Sequence, residues 1–262
     1  MDSPVLVIEI CIRASLLGLP TKRIFDDAPL GAGRKTMTQQ DQQKEAAARA
    51  SLRYVKDGLV VGLGSGSTAA RFIQLLGEDV KNGLRIRGIA SSINSQNLAA
   101  SLGIPITTLD ECQQIDVAVD GADEVDPQLR LIKGGGGALL REKIVASATK
   151  QFIVVVDATK RVPVLGRFPL PVEVIKFAQA LITKRIEALG AKVELRRTPD
   201  GKPFLTDENN HILDCHFGQI PDADALARTL SDMPGVVEHG LFIGMASVVL
   251  VADGSEVEEL RP

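Results

Sequence analysis

Leu59-Val60-Val61-Gly62-Leu63-Gly64-Ser65-Gly66-Ser67-Thr68-Ala69 joins a short apolar stretch to a loop of glycines and hydroxyl residues. The apolar half, residues 59–63, has no polar side chain and is typical of a strand buried on both faces, as in parallel sheets. The loop at residues 64–68 leads into a predicted helix over residues 69–76. A strand that continues through such a loop into a helix predicts a doubly wound α/β sheet.

The same alternation continues as far as residue 156. Hydrophobic periodicity predicts helices at residues 41–55, 94–101 and 138–149, and strands at residues 85–90, 104–107, 115–119, 129–132 and 152–156. Strands and helices that alternate through short loops predict a mostly parallel, Rossmann-like sheet. The loop at residues 64–68, Asp120, Lys133 and Asp157 each follow a predicted strand, so we expect them at one crevice beyond the carboxyl ends of the strands.

The pattern changes after about residue 165, where Pro169-Leu170-Pro171 marks a boundary. The later sequence predicts strands at residues 172–175, 192–196 and 236–242, helices at 177–189 and 224–233, and a hairpin in which 204–205 and 212–213 flank a turn at 207–210. This β-α-β-β-α-β order predicts a small ferredoxin-like α+β domain, after which residues 248–251 return to the main sheet. The predicted division is an N-terminal appendage at 1–36, expected to be poorly ordered, a Rossmann-like catalytic domain at 37–165 and 239–256, and the small α+β domain at 166–238.

Composition excludes several classes of function. The 262 residues carry a net charge of −3 without a basic block, and only 3% are aromatic, which argues against nucleic-acid binding. No apolar run reaches the length of about 18 residues expected of a membrane span. The cysteines, Cys11, Cys112 and Cys215, are odd in number and far apart, which favours a reducing, cytoplasmic location over a disulfide framework.

The stretch Lys133-Gly134-Gly135-Gly136-Gly137-Ala138 has the composition of a ligand cradle. Four consecutive glycines cost too much folding entropy to lack a purpose in a compact domain, and they let a backbone approach a ligand closely. The lysine before them and Glu142, four residues after Ala138, add a cation and a potential base; upstream, Asp120-Gly121-Ala122-Asp123-Glu124 adds carboxylates. This combination predicts an active site for an anionic, hydroxyl-rich small molecule.

The loop from Gly64 to Ala69 suits a phosphate group, because it opens a helix and offers free N–H groups and hydroxyls. The same residues fit G-x-G-x-x-A, but the acidic residue that a dinucleotide site needs is replaced by Ser91-Ser92 at the end of the second strand. No Gly-Lys-Ser/Thr follows, so the loop is not a P-loop. A monophosphate site is the preferred interpretation, and a structural tight turn is the alternative.

Each candidate residue also has a purely structural interpretation. Asp120 and Asp123 fit solvated turns, Glu142 an exposed helix position, and Lys133 a strand end. Glu124 and Asp126 are interpreted as solvated. The group His211, Cys215 and His216 lacks tetrahedral ligand spacing, so we predict no metal site there.

Taken together, the motifs resemble ribose-5-phosphate isomerase, type A. The resemblance spans residues 37–253 and rests on residues 62–69, 120–124, 133–138 with 141–143, 157–160, 168–174 and 234–237. It implies interconversion of D-ribose 5-phosphate and D-ribulose 5-phosphate, in the non-oxidative branch of the pentose phosphate pathway, without a metal or organic cofactor. It also implies a homodimer or homotetramer.

Residue roles follow from the same resemblance, position by position. Glu142 matches the base that moves a proton between C1 and C2, while Lys133 and Asp120 match groups that help to open the sugar ring and stabilise the charge on oxygen. The resemblance implies substrate contacts at Ser65, Gly66, Ser67, Thr68, Asp120, Gly121, Ala122, Asp123, Lys133, Gly134, Gly135, Gly136 and Lys160.

Three alternatives are weighed against this assignment. An amino-sugar-phosphate deaminase shares the phosphate loop but is not expected to combine the Lys133 glycine run with Glu142. A sugar-phosphate-sensing domain of a transcription regulator usually carries a DNA-binding helix pair, and residues 1–36 offer no convincing one. An NAD-linked dehydrogenase is the weakest alternative, since the acidic ribose anchor is missing.

Overall fold

The computed structural model describes residues 38–262, so the predicted appendage at 1–36 lies outside the described residues. In chain order the elements are α1 (Gln39–Ser51), β1 (Val60–Leu63), α2 (Gly66–Lys81), β2 (Arg87–Ala90), α3 (Ile93–Ser101), β3 (Ile115–Asp120), β4 (Glu124–Val125), β5 (Leu131–Ile132), α4 (Leu139–Ser147), β6 (Thr149–Asp157), β7 (Leu170–Val174), α5 (Gln179–Glu187), β8 (Lys192–Leu195), β9 (His211–His216), α6 (Ala223–Ser231), β10 (Val236–His239), β11 (Leu241–Phe242), β12 (Val248–Asp253) and β13 (Glu256–Leu260).

The largest sheet has six strands in the order β13-β12-β6-β3-β1-β2. All neighbours in it pair in parallel except β12 and β13, so the predicted mostly parallel sheet is confirmed. From β1 the chain first adds β2 on one side and then places β3 on the other. The carboxyl ends of β1 and β3 therefore flank the point where strand order reverses, which is where such sheets bind ligands.

Both faces of this sheet are covered, which explains why its strands read as continuous apolar runs. Val61 and Leu63 of β1 face a core with Ala47 of α1, Phe72 of α2 and Ala99 of α3. The opposite face, which includes Ala118, Val154 and Val249, packs against Val145 and Ala146 of α4. Gly62 is required between these layers, since a Cβ there would lie 2.5 Å from the Cβ of Ala118.

The second sheet has four antiparallel strands in the order β10-β7-β9-β8. Numbered from β7, this is the order 4-1-3-2, and α5 and α6 connect the strands as the predicted ferredoxin-like unit requires. Ile182 of α5 and Leu230 of α6 pack into the same core as Leu213 of β9. The small α+β domain is thus present as predicted, while its exact boundaries at residues 166 and 239 stay a prediction.

Several predicted elements were wrong in detail. Residues 104–107 form no strand and contribute only an isolated bridge between Gly88 and Ile106. The strand predicted at 129–132 shortens to β5 and joins a separate antiparallel sheet, β11-β5-β4, because Leu129 has a left-handed backbone (φ 57°) in a turn that precedes it. The strand predicted at 236–242 divides at Gly240 into β10 and β11, which belong to different sheets.

The remaining differences lie at edges and turns. Strand β13, which was not predicted, adds an edge strand to the main sheet. Most of its side chains are charged, so the sequence showed no apolar pattern there. The turn at 207–210 is present, but β9 pairs with β8 rather than with residues 204–205. No helix within residues 38–262 has both the length and the apolar character needed to span a membrane.

Candidate active site

An open cleft lies at the carboxyl ends of β1 and β3. It is lined by Gln40, Lys44, Ser65, Gly66, Ser67, Thr68, Gly121, Ala122, Asp123, Lys133, Gly134, Gly135, Gly136, Glu142 and Lys160. Every site residue that the resemblance implied lines this cleft except Asp120, which pairs with the lining residue Lys133. Two lining residues, Gln40 and Lys44, were not among the candidates.

The loop after β1 presents a helix N-terminus to the cleft. Helix α2 begins at Gly66, whose left-handed backbone (φ 82°) turns the chain from the strand into the helix. The N–H groups of a first helical turn have no partner within the helix, and the helix dipole favours an anion there. A Cβ at Gly64 would collide with Asp120, so glycine at this position lets the loop lie on that carboxylate.

Beneath the cleft, one ammonium group is shared by two buried carboxylates. Lys133, Asp120 and Glu142 are 2%, 3% and 4% exposed. The Nζ of Lys133 lies 2.9 Å from Oδ2 of Asp120 and 3.3 Å from Oε2 of Glu142, and it donates a 2.5 Å hydrogen bond to the carbonyl of Gly121. Charges this deeply buried are costly unless paired, so the three side chains form one electrostatic unit.

This unit changes the protonation of its members. Burial raises the pKa of Asp120 to about 7, with a further contribution from the Glu142 carboxylate, while the Lys133 ammonium opposes the rise. Burial alone would lower the pKa of Lys133, but Asp120 and Glu142 outweigh it and raise the pKa of the ammonium above its ordinary value. The lysine is therefore charged throughout the physiological range.

The two oxygens of the Glu142 carboxylate have different partners. Oε1 accepts a hydrogen bond from the hydroxyl of Ser65, whereas the buried Oε2 is paired with the Lys133 ammonium at 3.3 Å and accepts no hydrogen bond within the part of the chain that the structure describes. Helix α4 begins three residues earlier, so a short, rigid segment positions the carboxylate. A carboxylate oxygen at the floor of a cleft with no hydrogen-bond donor on it has the geometry expected of a general base.

The glycine run forms the side of the cleft opposite the phosphate loop. Gly134 and Gly137 both have left-handed backbones (φ 97° and 87°), which side chains rarely adopt. Between them, the N–H of Gly135 donates a 2.7 Å hydrogen bond to Oδ2 of Asp123. Burial raises the pKa of Asp123, with the Gly135 N–H opposing the rise.

Asp157 does not line the cleft, contrary to the prediction. It ends β6 at the same edge of the sheet, but its side chain is buried and accepts a 3.1 Å hydrogen bond from the N–H of Thr159. An aspartate that caps the following turn accepts a hydrogen bond from the backbone of that turn, so its carboxylate is not directed at a ligand. Its contribution is to shape the turn that carries Lys160 into the cleft.

Gln40 and Lys44 come from α1 and were missed by sequence reasoning. They lie four residues apart, so both face the cleft from one side of the helix. Gln40 also reaches Asp157, at 3.4 Å between Nε2 and Oδ2. A lysine on a polar helix is ordinarily solvated, and only the packing of α1 against the sheet places this one beside the phosphate loop.

Glu124 and Asp126 are buried, so their interpretation as solvated residues was wrong. Glu124 is 1% exposed and accepts hydrogen bonds from the N–H groups of Gly166 (2.7 Å) and Phe168 (2.6 Å). Asp126 pairs with Arg130 at 2.6 Å. Across residues 38–262, no group of three or more His, Cys, Asp or Glu side chains is arranged to hold a metal ion.

Comparison with known proteins assigns the family. The family model described as ribose 5-phosphate isomerase A (phosphoriboisomerase A) matches residues 87–256. The ribose-5-phosphate isomerase A of Parvibaculum lavamentivorans is 54% identical over 217 residues, which cover 80% of this chain and 94% of that protein.

Solved structures agree. A D-ribose-5-phosphate isomerase in complex with phospho-erythronic acid has a TM-score of 0.83 at 42% identity, covering 86% of this chain and 100% of that chain. Ribose 5-phosphate isomerase A of Methanocaldococcus jannaschii has a TM-score of 0.81 at 39% identity, with coverage of 86% and 100%. Motifs, fold, cleft and relatives all agree, and the chain belongs to the ribose 5-phosphate isomerase A family.

Proposed function

We propose that this aldose–ketose isomerase interconverts D-ribose 5-phosphate and D-ribulose 5-phosphate with Glu142 as its proton shuttle. The observation that carries the assignment is Oε2 of Glu142, which is buried at the floor of the cleft, lies 3.3 Å from the Lys133 ammonium and accepts no hydrogen bond within residues 38–262. Oε2 removes the proton from C2 of the open-chain aldose, which leaves an enediolate. The same carboxyl group returns the proton to C1 while the proton of the O2 hydroxyl passes to O1, so the carbonyl moves from C1 to C2 and one base serves both carbon steps.

Lys133 and Asp120 assist at the substrate oxygens. The Lys133 ammonium is fixed before the reaction begins and offsets the negative charge that develops on oxygen in the enediolate. Asp120, whose pKa lies at about 7, is suited to exchange a proton with the ring oxygen when the sugar opens. Hydroxyl groups of the substrate contact Asp123, Lys160 and the backbone along Gly121, Ala122, Gly134, Gly135 and Gly136.

The phosphate lies at the N-terminus of α2, against Ser65, Gly66, Ser67 and Thr68. Lys44 supplies the positive charge on the side of α1. We expect Lys44→Met to raise the KM for ribose 5-phosphate by about 10- to 100-fold, the value of one hydrogen bond to a charged group, with little change in kcat. The matched control is Lys56→Met, an exposed lysine just beyond the same helix. Steady-state kinetics that show an unchanged KM would contradict this role.

The charge cluster predicts an acid limb in the pH profile. As pH falls through about 7, Asp120 takes up a proton, and less of the enzyme retains the carboxylate that pairs with Lys133. We therefore expect kcat/KM to decline below about pH 7 and the limb to move to lower pH in Asp120→Asn. A profile that is flat from about pH 5.5 to 8.5 would count against a role for the charge on Asp120.

The function is tested directly by the turnover of ribose 5-phosphate in the presence of EDTA, with formation of the ketose as the measured signal. In D₂O a single shuttling base predicts partial deuterium at C1 of the product, because the carboxyl group exchanges some of the C2 proton with solvent before it returns it. The deaminase alternative instead predicts release of ammonia from an amino-sugar phosphate, and the sensor alternative predicts binding without turnover. Loss of all turnover on chelation, restored by one metal, would overturn the proposal that no metal is needed.

The resemblance also supports three broader proposals. The enzyme operates in the non-oxidative branch of the pentose phosphate pathway, in the cytoplasm, and as a homodimer or homotetramer. Sedimentation at several protein concentrations tests the last of these, and a monomer at micromolar concentration would refute it.

A further inference from the structure

We propose that Arg196, which belongs to the small α+β domain, is a positioning residue for the isomerase site. It acts through the glycine run at residues 134–137. Its Nη1 donates hydrogen bonds to two successive carbonyls of that run, at 2.9 Å to Gly134 and 3.2 Å to Gly135. The inference rests on the residue roles proposed above, because the glycine run matters only if the cleft it borders is the active site.

Arg196 is itself rigidly held. Asp214, on the neighbouring strand β9, accepts from its Nε at 2.9 Å and from its Nη2 at 2.5 Å. This paired contact fixes the plane of the guanidinium, and the side chain is only 13% exposed. The remaining Nη1 is the group that reaches the glycine run. A lysine offers no such planar fork, so it cannot hold Asp214 and two carbonyls at once.

A second contact from the small domain reinforces the first. The guanidinium lies 6.0 Å from the ring centre of Phe204. That ring packs so closely on Gly137 that a Cβ there would lie 2.5 Å from a ring carbon. Arg196 and Phe204 thus contact both ends of the run, whose residues carry no side chains of their own.

The consequence reaches the cleft through the backbone. With their carbonyls turned toward Arg196, the loop residues direct the N–H of Gly135 to Asp123 at 2.7 Å. Lys133 directly precedes the run and Glu142 follows it by five residues. A shift of the loop therefore displaces a substrate contact and the ammonium together. Misplacement by about 1 Å can cost about 10²-fold in rate.

The test compares Arg196→Met with Arg197→Met. Arg197 is the adjacent, exposed arginine, which donates to the carbonyl of Gly201 and does not touch the glycine run. We expect Arg196→Met to lower kcat for ribose 5-phosphate by about 10²-fold. Competitive inhibition by inorganic phosphate should stay within about twofold, since the phosphate loop is untouched. Arg196→Lys should recover only part of the loss, and Arg197→Met should resemble wild type.

The outcomes separate this inference from the proposed function. A wild-type enzyme that fails to isomerise refutes the function; an active wild type with a fully active Arg196→Met refutes only the positioning role. Recovery of the full rate in Arg196→Lys would also refute it, because charge alone would then suffice. If Arg196→Met does not fold, Asp214→Asn is the second test. It keeps the arginine but weakens the paired hydrogen bonds that fix its guanidinium, and an unchanged kcat in that variant would overturn the proposal.

Discussion

Glu142→Gln is expected to lower kcat by about 10²- to 10⁴-fold, the range for loss of a positioned general base. Glutamine has nearly the same shape and keeps an oxygen that can accept from Ser65, but its amide cannot carry the proton between C1 and C2. The change also removes one of the two carboxylates that compete for Lys133, leaving a simple pair with Asp120. Binding should therefore persist while turnover is lost.

Steady-state kinetics of ribose 5-phosphate isomerisation, together with inhibition by inorganic phosphate, distinguishes these effects. The phosphate inhibition constant should stay close to that of wild type. Glu78→Gln, an exposed glutamate on α2, serves as the control and should leave both constants unchanged. If Glu142→Gln keeps more than about a tenth of the wild-type kcat, another group is the base.

The parts of the site that could be predicted from the sequence are local. Residues 60–69 form one continuous strand–loop–helix unit, and Lys133 to Glu142 form a loop and helix start that follow β5. In both, neighbouring residues specify the turn, the helix start and the polar side chains. The parallel sheet brings the two units together because each follows the carboxyl end of a strand or leads away from one. That rule required no knowledge of side-chain packing.

The parts that could not be predicted depend on contacts between distant segments. Lys44 borders the phosphate loop only because α1 packs across the sheet, and Arg196 reaches the glycine run from a different domain. Glu124 looked like a turn residue, yet it is buried because the backbone of residues 166–168 supplies its hydrogen bonds from more than forty residues away. A polar residue whose hydrogen-bond partners lie far away in the sequence produces no periodic hydrophobic pattern, so its position in the fold cannot be predicted from its neighbours.

The strand predicted at residues 129–132 shows the same limitation in the fold. Its apolar residues correctly indicated burial, but burial does not specify a partner strand. Strand β5 pairs with β4 and β11 instead of the main sheet. Lys133 still reaches the crevice, because its long side chain extends from the end of β5 to Asp120 at the end of β3. The predicted position of the lysine was therefore right, although the predicted strand pairing was not.

Lys133→Met is expected to abolish measurable turnover and also to lower the free energy of unfolding by about 3–5 kcal/mol near pH 8, the cost of removing one partner from a buried ion pair. Asp120 and Glu142 would then be two buried carboxylates without their cation. Burial and repulsion by Glu142 already raise the pKa of Asp120, and loss of the ammonium that opposes this rise raises it further. The loss of stability is therefore complete above that raised pKa and becomes smaller as the pH falls towards about 4, where the unfolded chain also binds the proton.

Urea unfolding at pH 8 and at pH 5.5 measures this dependence, and the difference between wild type and Lys133→Met should be smaller at the lower pH. Adding Asp120→Asn removes one unpaired charge, so the double variant should regain a large part of the stability while remaining inactive, because the ammonium that stabilises the enediolate is still missing. Lys150→Met breaks an exposed pair with Asp116 and should cost less than about 1 kcal/mol. A Lys133→Met protein as stable as wild type at both pH values would show that the two carboxylates do not depend on this lysine for their burial, and the electrostatic unit beneath the cleft would have to be abandoned.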